Sequence, residues 1–428
     1  MKKKAIIQMI ESLLVMMLLA FFYVKDLATV PFHIDESHWI GTSYMFEAYF
    51  KGEFWSEAWR ENQHTVTNPP VPRYFIGISR FLAGYRIPDL NRAWEYDHNR
   101  NFNVRRGAMP SDGLLWWSRL PMALLAVLSI WIGFLFVKAT RGRLAGYIWI
   151  IFGIASSFLL LQTRRAMAES SILFFVMLAA LLCWRALKNM ENQPTGIPWR
   201  AYIYMALSGI CIGLAGEAKI NGLSVALGII AATALIIWRQ YISLSSKLQR
   251  GLTLGLLITL TTTGAFLGAY PYLWPDPLGK TVHVFENRLD EMAYQASQQH
   301  GSVAIKTIDQ RLTIIPVRIF DDYAIFHFPG AVFLNLALTL LGVSLLLAQL
   351  WRGLKNDDDV SAVATLLAVA TTASVPSFFT LLDWDRYYLF PIFFSSMMIA
   401  ISLGWLLQKL YGQLIRIKGG TKPSVTNK

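Results

Sequence analysis

The chain has 428 residues, of which 54% are hydrophobic, 14% aromatic and only 15% charged. Several apolar runs reach the roughly 20 residues that a membrane-crossing helix needs, which excludes an outer-membrane barrel with its much shorter strands. The net charge of +12 could suit nucleic acid, but in a spanning protein the positive-inside distribution accounts for it, so no nucleic-acid partner is expected.

Met1-Lys2-Lys3-Lys4 precedes an apolar run over 5–24. The run is too long for a signal-peptide core and lacks a small-residue cleavage site, so it reads as an uncleaved first span with cytoplasmic lysines. A long polar and aromatic segment, 25–113, follows. Near its start, in Phe32-His33-Ile34-Asp35-Glu36-Ser37-His38-Trp39, two adjacent acids stand at the mouth of a span, where ionised groups are costly and mark functional cavities. An N-cap role for Asp35 is the alternative. At a helix N-terminus the dipole favours the ionised form that a base needs. Neighbouring helical positions face different ways, so Asp35 and Glu36 are assigned different tasks. The apolar spacing of Trp39, Ile40, Phe46, Tyr49 and Phe50 over 35–51 predicts one amphipathic helix, either in the membrane interface or covering other loops. Aromatic residues between Tyr44 and Trp59 could stack on sugar rings or anchor at the interface.

Asn68-Pro69-Pro70-Val71-Pro72-Arg73-Tyr74 is a stiff return to the membrane carrying an arginine that a turn does not require. Further spans are expected at 114–137, 144–161, 171–187, 202–216, 223–238, 252–270, 331–351, 362–380 and 387–407, about ten in all. The connection 217–221 is short enough for a shallow or re-entrant turn. Alternation puts Lys138/Arg141/Arg143, Arg185/Lys188/Arg200, Arg239/Lys247/Arg250, Arg352/Lys355 and the basic tail 411–428 on the cytoplasmic side, as positive-inside topology requires. The long segments 25–113 and 271–328, and all seven histidines, then face outward. No internal repeat divides the chain, so 1–410 reads as one integral domain. The two cysteines, Cys183 and Cys211, lie in apolar runs; no disulfide is expected and they do not identify the compartment.

Two arginines at an outward junction, in Thr163-Arg164-Arg165-Ala166-Met167-Ala168-Glu169, run against positive-inside logic. Their planar forks suit a phosphate, although snorkelling to headgroups or pairing with Glu169 also explains them. Glu217-Ala218-Lys219-Ile220-Asn221 and Asp383-Trp384-Asp385-Arg386-Tyr387 put further cations beside acids at outer span ends. A base facing several cations suits transfer from a lipid-linked phosphate: the base takes the acceptor's proton and the cations stabilise the leaving phosphate. His33, Asp35 and His38 lie close in sequence but form no tight metal motif. No cofactor is required; a divalent metal is compatible with the set but is not predicted.

These motifs, in this order, resemble the polytopic C-type glycosyltransferases that use polyprenyl-phosphate sugars, above all the protein O-mannosyltransferase and aminoarabinose-transferase branch. The matching residues are Asp35-Glu36, Asn68-Pro69-Pro70-x-x-Arg73, Arg164/Arg165 to Glu169, Gly216-x-x-Lys219-x-Asn221-Gly222-Leu223 and Arg386-Tyr387-Tyr388. The resemblance implies an all-α membrane fold in the plasma membrane with both termini cytoplasmic and an extracytoplasmic site. It implies inverting transfer of a mannose-like hexose to a hydroxyl of a protein, lipid or glycan, with Asp35 as base and Glu36 assisting. Arg73, Arg164 or Arg165, Lys219 and Arg386 would contact the donor phosphate, and His38, Asn68, Glu169, Asn221 and Tyr387 would position substrate. The family's His-Pro-Pro reads Asn68-Pro69-Pro70 here, which removes any imidazole role at that position, and 271–328 is too short for the mannosyltransferases' β-trefoil. Competing readings are a lipid or sugar transporter, or flippase, which would show midplane charges and related halves, and an assembly subunit with a degenerate site.

Overall fold

A computed structural model describes residues 2–191, 196–298 and 304–419; His300 and the second half of the basic tail lie outside them. Among the described residues the chain is helical, with one isolated antiparallel bridge between Ala304 and Leu382. The helices are α1 (Lys2–Val24), then the short α2 (Ile34–Gly41), α3 (Met45–Phe50), α4 (Gln63–Thr67), α5 (Val71–Leu82) and α6 (Arg100–Arg105). The bundle continues with α7 (Asp112–Arg141), α8 (Arg143–Ala155), α9 (Ser157–Arg164), α10 (Glu169–Glu191), α11 (Trp199–Gly216), α12 (Val225–Arg239) and α13 (Leu244–Gly268). After α14 (Pro277–Gln298) and α15 (Ile308–Val317), the chain closes with α16 (Ala331–Asn356), α17 (Ser361–Phe378) and α18 (Leu389–Gly419).

Among the described residues eight helical segments are long and apolar enough to cross a membrane, or nine if α8 with α9, bent by 65°, is one span. Of the ten spans expected, the one at 202–216 does not reach the same hydropathy. The segment 202–216 is helical as α11, but Arg200, two tyrosines and its glycines dilute its hydropathy. Its small residues serve packing instead. A Cβ on Gly213 would fall 2.4 Å from the Thr262 carbonyl oxygen, and Ser208 donates to the Ala179 carbonyl at 2.9 Å. Small residues of this kind let helices approach closely, here wedging α11 between α10 and α13. The bend between α8 and α9 lies at Ser156, whose hydroxyl caps the Leu159 N–H at 3.2 Å, a local bond that competes with helix continuation.

The helix expected over 35–51 is two helices. Thr42 and Ser43 hydroxyls bond back to the His38 and Ile40 carbonyls at 2.5 and 2.7 Å and end α2 there. The pair packs inside the protein: Glu47 is buried and takes two bonds from the buried Arg80, at 2.7 and 2.5 Å.

Successive helices alternate in direction and gather the ends of α1, α9, α11, α13 and α17 with the starts of α7, α10, α12, α16 and α18 at one rim. Contacts across that rim include Arg164 to the Lys25 carbonyl, Tyr74 to the Ala269 carbonyl and Gln162 to Asp385. The opposite rim is held by Lys138 and Arg143 on Glu11, and by Arg239 on Glu191 and Asp357. Gly213→Ala pushes a methyl into backbone that cannot move aside, a change expected to destabilise by about 1–3 kcal/mol; thermal unfolding in detergent should show a lowered midpoint.

Candidate active site

The first turn of α2 settles the role of its acids. His33 is the N-cap: its Nδ1 accepts from the Asp35 N–H at 3.2 Å, and the Glu36 carboxylate accepts from the His33 N–H at 3.0 Å. Asp35 is therefore not the cap, and its carboxylate is held by distant residues. Tyr96 Oη donates to Oδ1 at 2.9 Å, and Arg386 Nη1 pairs with Oδ2. Burial raises this carboxyl's pKa, but the Arg386 guanidinium, His33 and the hydrogen bonds from Tyr96 and Arg386 outweigh it and bring it down to about 2. About a fifth of the side chain remains exposed.

Glu36 lies behind this face. It is fully buried, with Arg119 Nε and Nη2 on its two oxygens at 2.7 and 2.8 Å. The Ala166 N–H donates to it at 2.8 Å, and Arg119 also reaches the Leu27 carbonyl at 3.1 Å. With both oxygens engaged by buried donors, Glu36 is a strut between α2 and α7, and the assisting role expected of it has no free carboxylate oxygen to use. Arg119 was missed in the sequence reading, although a lone charge within an apolar run is itself a signal.

Three cations and two acids come together around Arg386. Lys219 Nζ bonds Glu169 Oε1 at 2.8 Å and lies 5.3 Å from the Tyr387 ring centroid. The Arg386 guanidinium sits over Trp384 at 4.5 Å and Tyr387 at 5.9 Å, within electrostatic range of Glu169. Arg165 binds the Pro31 carbonyl through Nε at 3.2 Å; its two terminal amino groups have no protein partner among the described residues. Glu169 Oε2 is buried and likewise unpaired. Free guanidinium donors beside an ammonium group suit a phosphate.

Other expected residues are placed elsewhere. Arg164 donates to the Lys25 and Leu160 carbonyls and caps the end of α1, so of the two arginines Arg165 is the one turned to the cluster. Arg73 is fully buried and donates to Thr42 Oγ1 and to the Asn68 and His64 carbonyls. With every nitrogen engaged by protein oxygens, it braces the outer segment, and the phosphate contact expected of it finds no unengaged nitrogen. Asn68 contributes its carbonyl to that brace. Tyr387 underlies Lys219 and accepts from Arg288 at 2.8 Å. Asn221 is exposed beside Lys219, with its carbonyl on Ser224. His38 donates Nε2–H to the Trp94 carbonyl at 3.0 Å and stacks on Tyr96 at 5.2 Å. Burial lowers the pKa of both His38 and its neighbour His64, the latter to about 4. No group of three His, Cys, Asp or Glu side chains converges as a metal site among the described residues.

Removing the Glu36 carboxylate strands Arg119 in the core, so Glu36→Ala should cost about 3–5 kcal/mol. Asp35 also stabilises the fold, by less and in a pH-dependent way. Its folded pKa of about 2 lies below the usual 3.8, so its stabilisation is present above about pH 4 and is lost as pH falls through about 2. Between those limits the wild type should lose about 2 kcal/mol that Asp35→Asn does not lose; acid titration of unfolding midpoints measures the difference.

A profile of the dolichyl-phosphate-mannose-protein mannosyltransferase family matches residues 37–274, more than half of the chain. Protein O-mannosyl-transferase 2 of Danio rerio is 24% identical over 226 residues, 51% of this chain and 26% of that protein. The chain thus spans about a quarter of this relative's length. Among solved structures, apo ArnT from Cupriavidus metallidurans aligns with 96% of this chain and 62% of its own, at 13% identity and a TM-score of 0.51. The oligosaccharyltransferase AglB from Archaeoglobus fulgidus aligns with 97% of this chain and 52% of its own, at 14% identity and a TM-score of 0.50. At such identities the two structures establish a shared fold, that of membrane glycosyltransferases. With the family profile running from Ser37 within α2 to Trp274 just past α13, the chain belongs to the dolichyl-phosphate-mannose-protein mannosyltransferase family.

Proposed function

We propose that this protein transfers a mannose-like sugar, with inversion, from a polyprenyl-phosphate donor to a hydroxyl of a protein, lipid or glycan acceptor. The observation that carries the reading is the meeting of Asp35 with Arg386 at the rim where Arg165 and Lys219 also lie. Asp35 takes the acceptor's hydroxyl proton as its oxygen bonds to the anomeric carbon. The bond from that carbon to the phosphate oxygen breaks, and the phosphate leaves with the electron pair. Arg165, Lys219 and Arg386 stabilise the charge that builds there.

Arg386 has two candidate partners, Asp35 and the phosphate. A donor that draws Arg386 away from Asp35 raises that carboxylate's proton affinity towards the ordinary range, so the base strengthens once its substrate is in place. The opposite rim carries Lys138, Arg141, Arg143, Arg239 and Arg352, which by the positive-inside rule supports a cytoplasmic assignment there and an extracytoplasmic site. Charges gathered at one rim, away from the midplane, disfavour transport.

The test is transfer of labelled mannose from polyprenyl-phosphate mannose to membrane acceptors by the purified protein in lipid discs. Asp35→Asn should lower the rate by about 10²–10⁴-fold, the usual contribution of a general base. Unreduced transfer by that variant would remove Asp35 as the base.

A further inference from the structure

Residues 91–108 are folded back on α2 by buried polar side chains. Asn91 Nδ2 donates to the Ser37 and Ala108 carbonyls at 2.9 and 3.2 Å, and Ser37 Oγ donates to the Arg92 and Ala108 carbonyls at 3.0 and 2.8 Å. Asn103, almost fully buried, accepts the Glu95 N–H at 2.8 Å and donates to the Glu95 and His98 carbonyls at 2.9 and 3.2 Å. A Cβ on Gly41 would fall 2.7 Å from the Asn91 carbonyl oxygen, so the loop rests directly on the helix. Loops are ordinarily the mobile part of a structure, and buried hydrogen-bonded networks of this kind make one rigid, although Asn91 Oδ1 finds no hydrogen-bond partner among the described residues.

What the rigid loop delivers is Tyr96. Its hydroxyl donates to Asp35 Oδ1 at 2.9 Å, and its ring lies on His38 with 5.2 Å between centroids and 7° between planes. Despite this contact the residue stays 55% exposed. We propose that Tyr96 is a positioning residue for Asp35: its hydroxyl fixes the carboxylate's orientation towards the acceptor while its exposed ring walls the acceptor's approach. This rests on the reading of Asp35 as the base.

The reason is geometric. Asp35 has two side-chain donors, Arg386 on Oδ2 and Tyr96 on Oδ1. If the donor phosphate recruits Arg386, Tyr96 alone holds the carboxylate. Other charged or titratable groups near Asp35 are His33 and His38 from its own segment, with Arg165 and Glu169 beyond. None of them donates a hydrogen bond to its carboxylate. His38, anchored on the Trp94 carbonyl, then acts through Tyr96 by fixing the plane of its ring, without touching substrate.

Tyr96→Phe keeps the ring and removes the hydroxyl. In the mannose-transfer assay kcat should fall about 10- to 100-fold, as for loss of a hydrogen bond to a charged group. KM for the donor should stay within about twofold, since no phosphate contact is touched. The acid limb of kcat/KM should move to higher pH, because the lost bond favours the ionised carboxylate. Wild-type kcat with an unmoved acid limb overturns the proposal. So does a parallel loss of equilibrium donor binding, which would make Tyr96 merely structural. Asp35→Asn run alongside separates the two readings. If that variant transfers normally, the base assignment fails; if it is inactive while Tyr96→Phe is normal, only the role of Tyr96 fails.

Discussion

The buried pair between Glu36 and Arg119 organises the rim. It joins the first turn of α2 to the start of α7, and through the Leu27 carbonyl and the Ala166 N–H it also holds the chain after α1 and the turn after α9. A carboxylate and a guanidinium removed from water are tolerated only with their hydrogen bonds met, and here both carboxylate oxygens and all three guanidinium nitrogens are engaged. Because consecutive helical residues diverge by about 100°, locking Glu36 inward commits Asp35 to the other face. The strut and the proposed base are neighbours in sequence for that reason.

Around this lock the site is built from helix ends. Glu169 opens α10, Lys219 follows α11, Arg165 follows α9 and Arg386 precedes α18. Backbone at a helix end can turn side chains into a cleft while the helices themselves stay packed, and the loops between them supply the rest. The cost of placing cations here is lowered by mutual pairing: Lys219 with Glu169, and Arg386 with Asp35. Arg165 keeps two amino groups without a hydrogen-bond partner among the described residues, which makes it a strong candidate for a ligand's anionic group.

Part of this was legible before the structure. Charges at the ends of apolar runs are few and costly, so Asp35, Arg165, Lys219, Glu169 and Arg386 stood out as a set. Local identity could not say which of two adjacent arginines faces the cluster; the turn after α9 decides that, sending Arg164 to the end of α1. Arg73 carried a motif match, yet the backbone carbonyls of Asn68 and His64 surround it. Tyr96 gave no local sign, since its partner lies 61 residues away across a loop held by asparagines that look unremarkable in sequence. The single helix expected over 35–51 followed apolar spacing correctly but missed that Thr42 and Ser43 offer the backbone competing bonds.

The sequence by itself determined the membrane class, the helical architecture and the stock of charged residues placed at span ends, because hydrophobic length and the expense of burying charge act residue by residue. Tertiary structure alone decided which of those charges share a cleft, which are braces and which tyrosine bonds the Asp35 carboxylate. Those outcomes depend on distances between segments far apart in the chain, and on which buried polar groups find partners, neither of which any local pattern encodes.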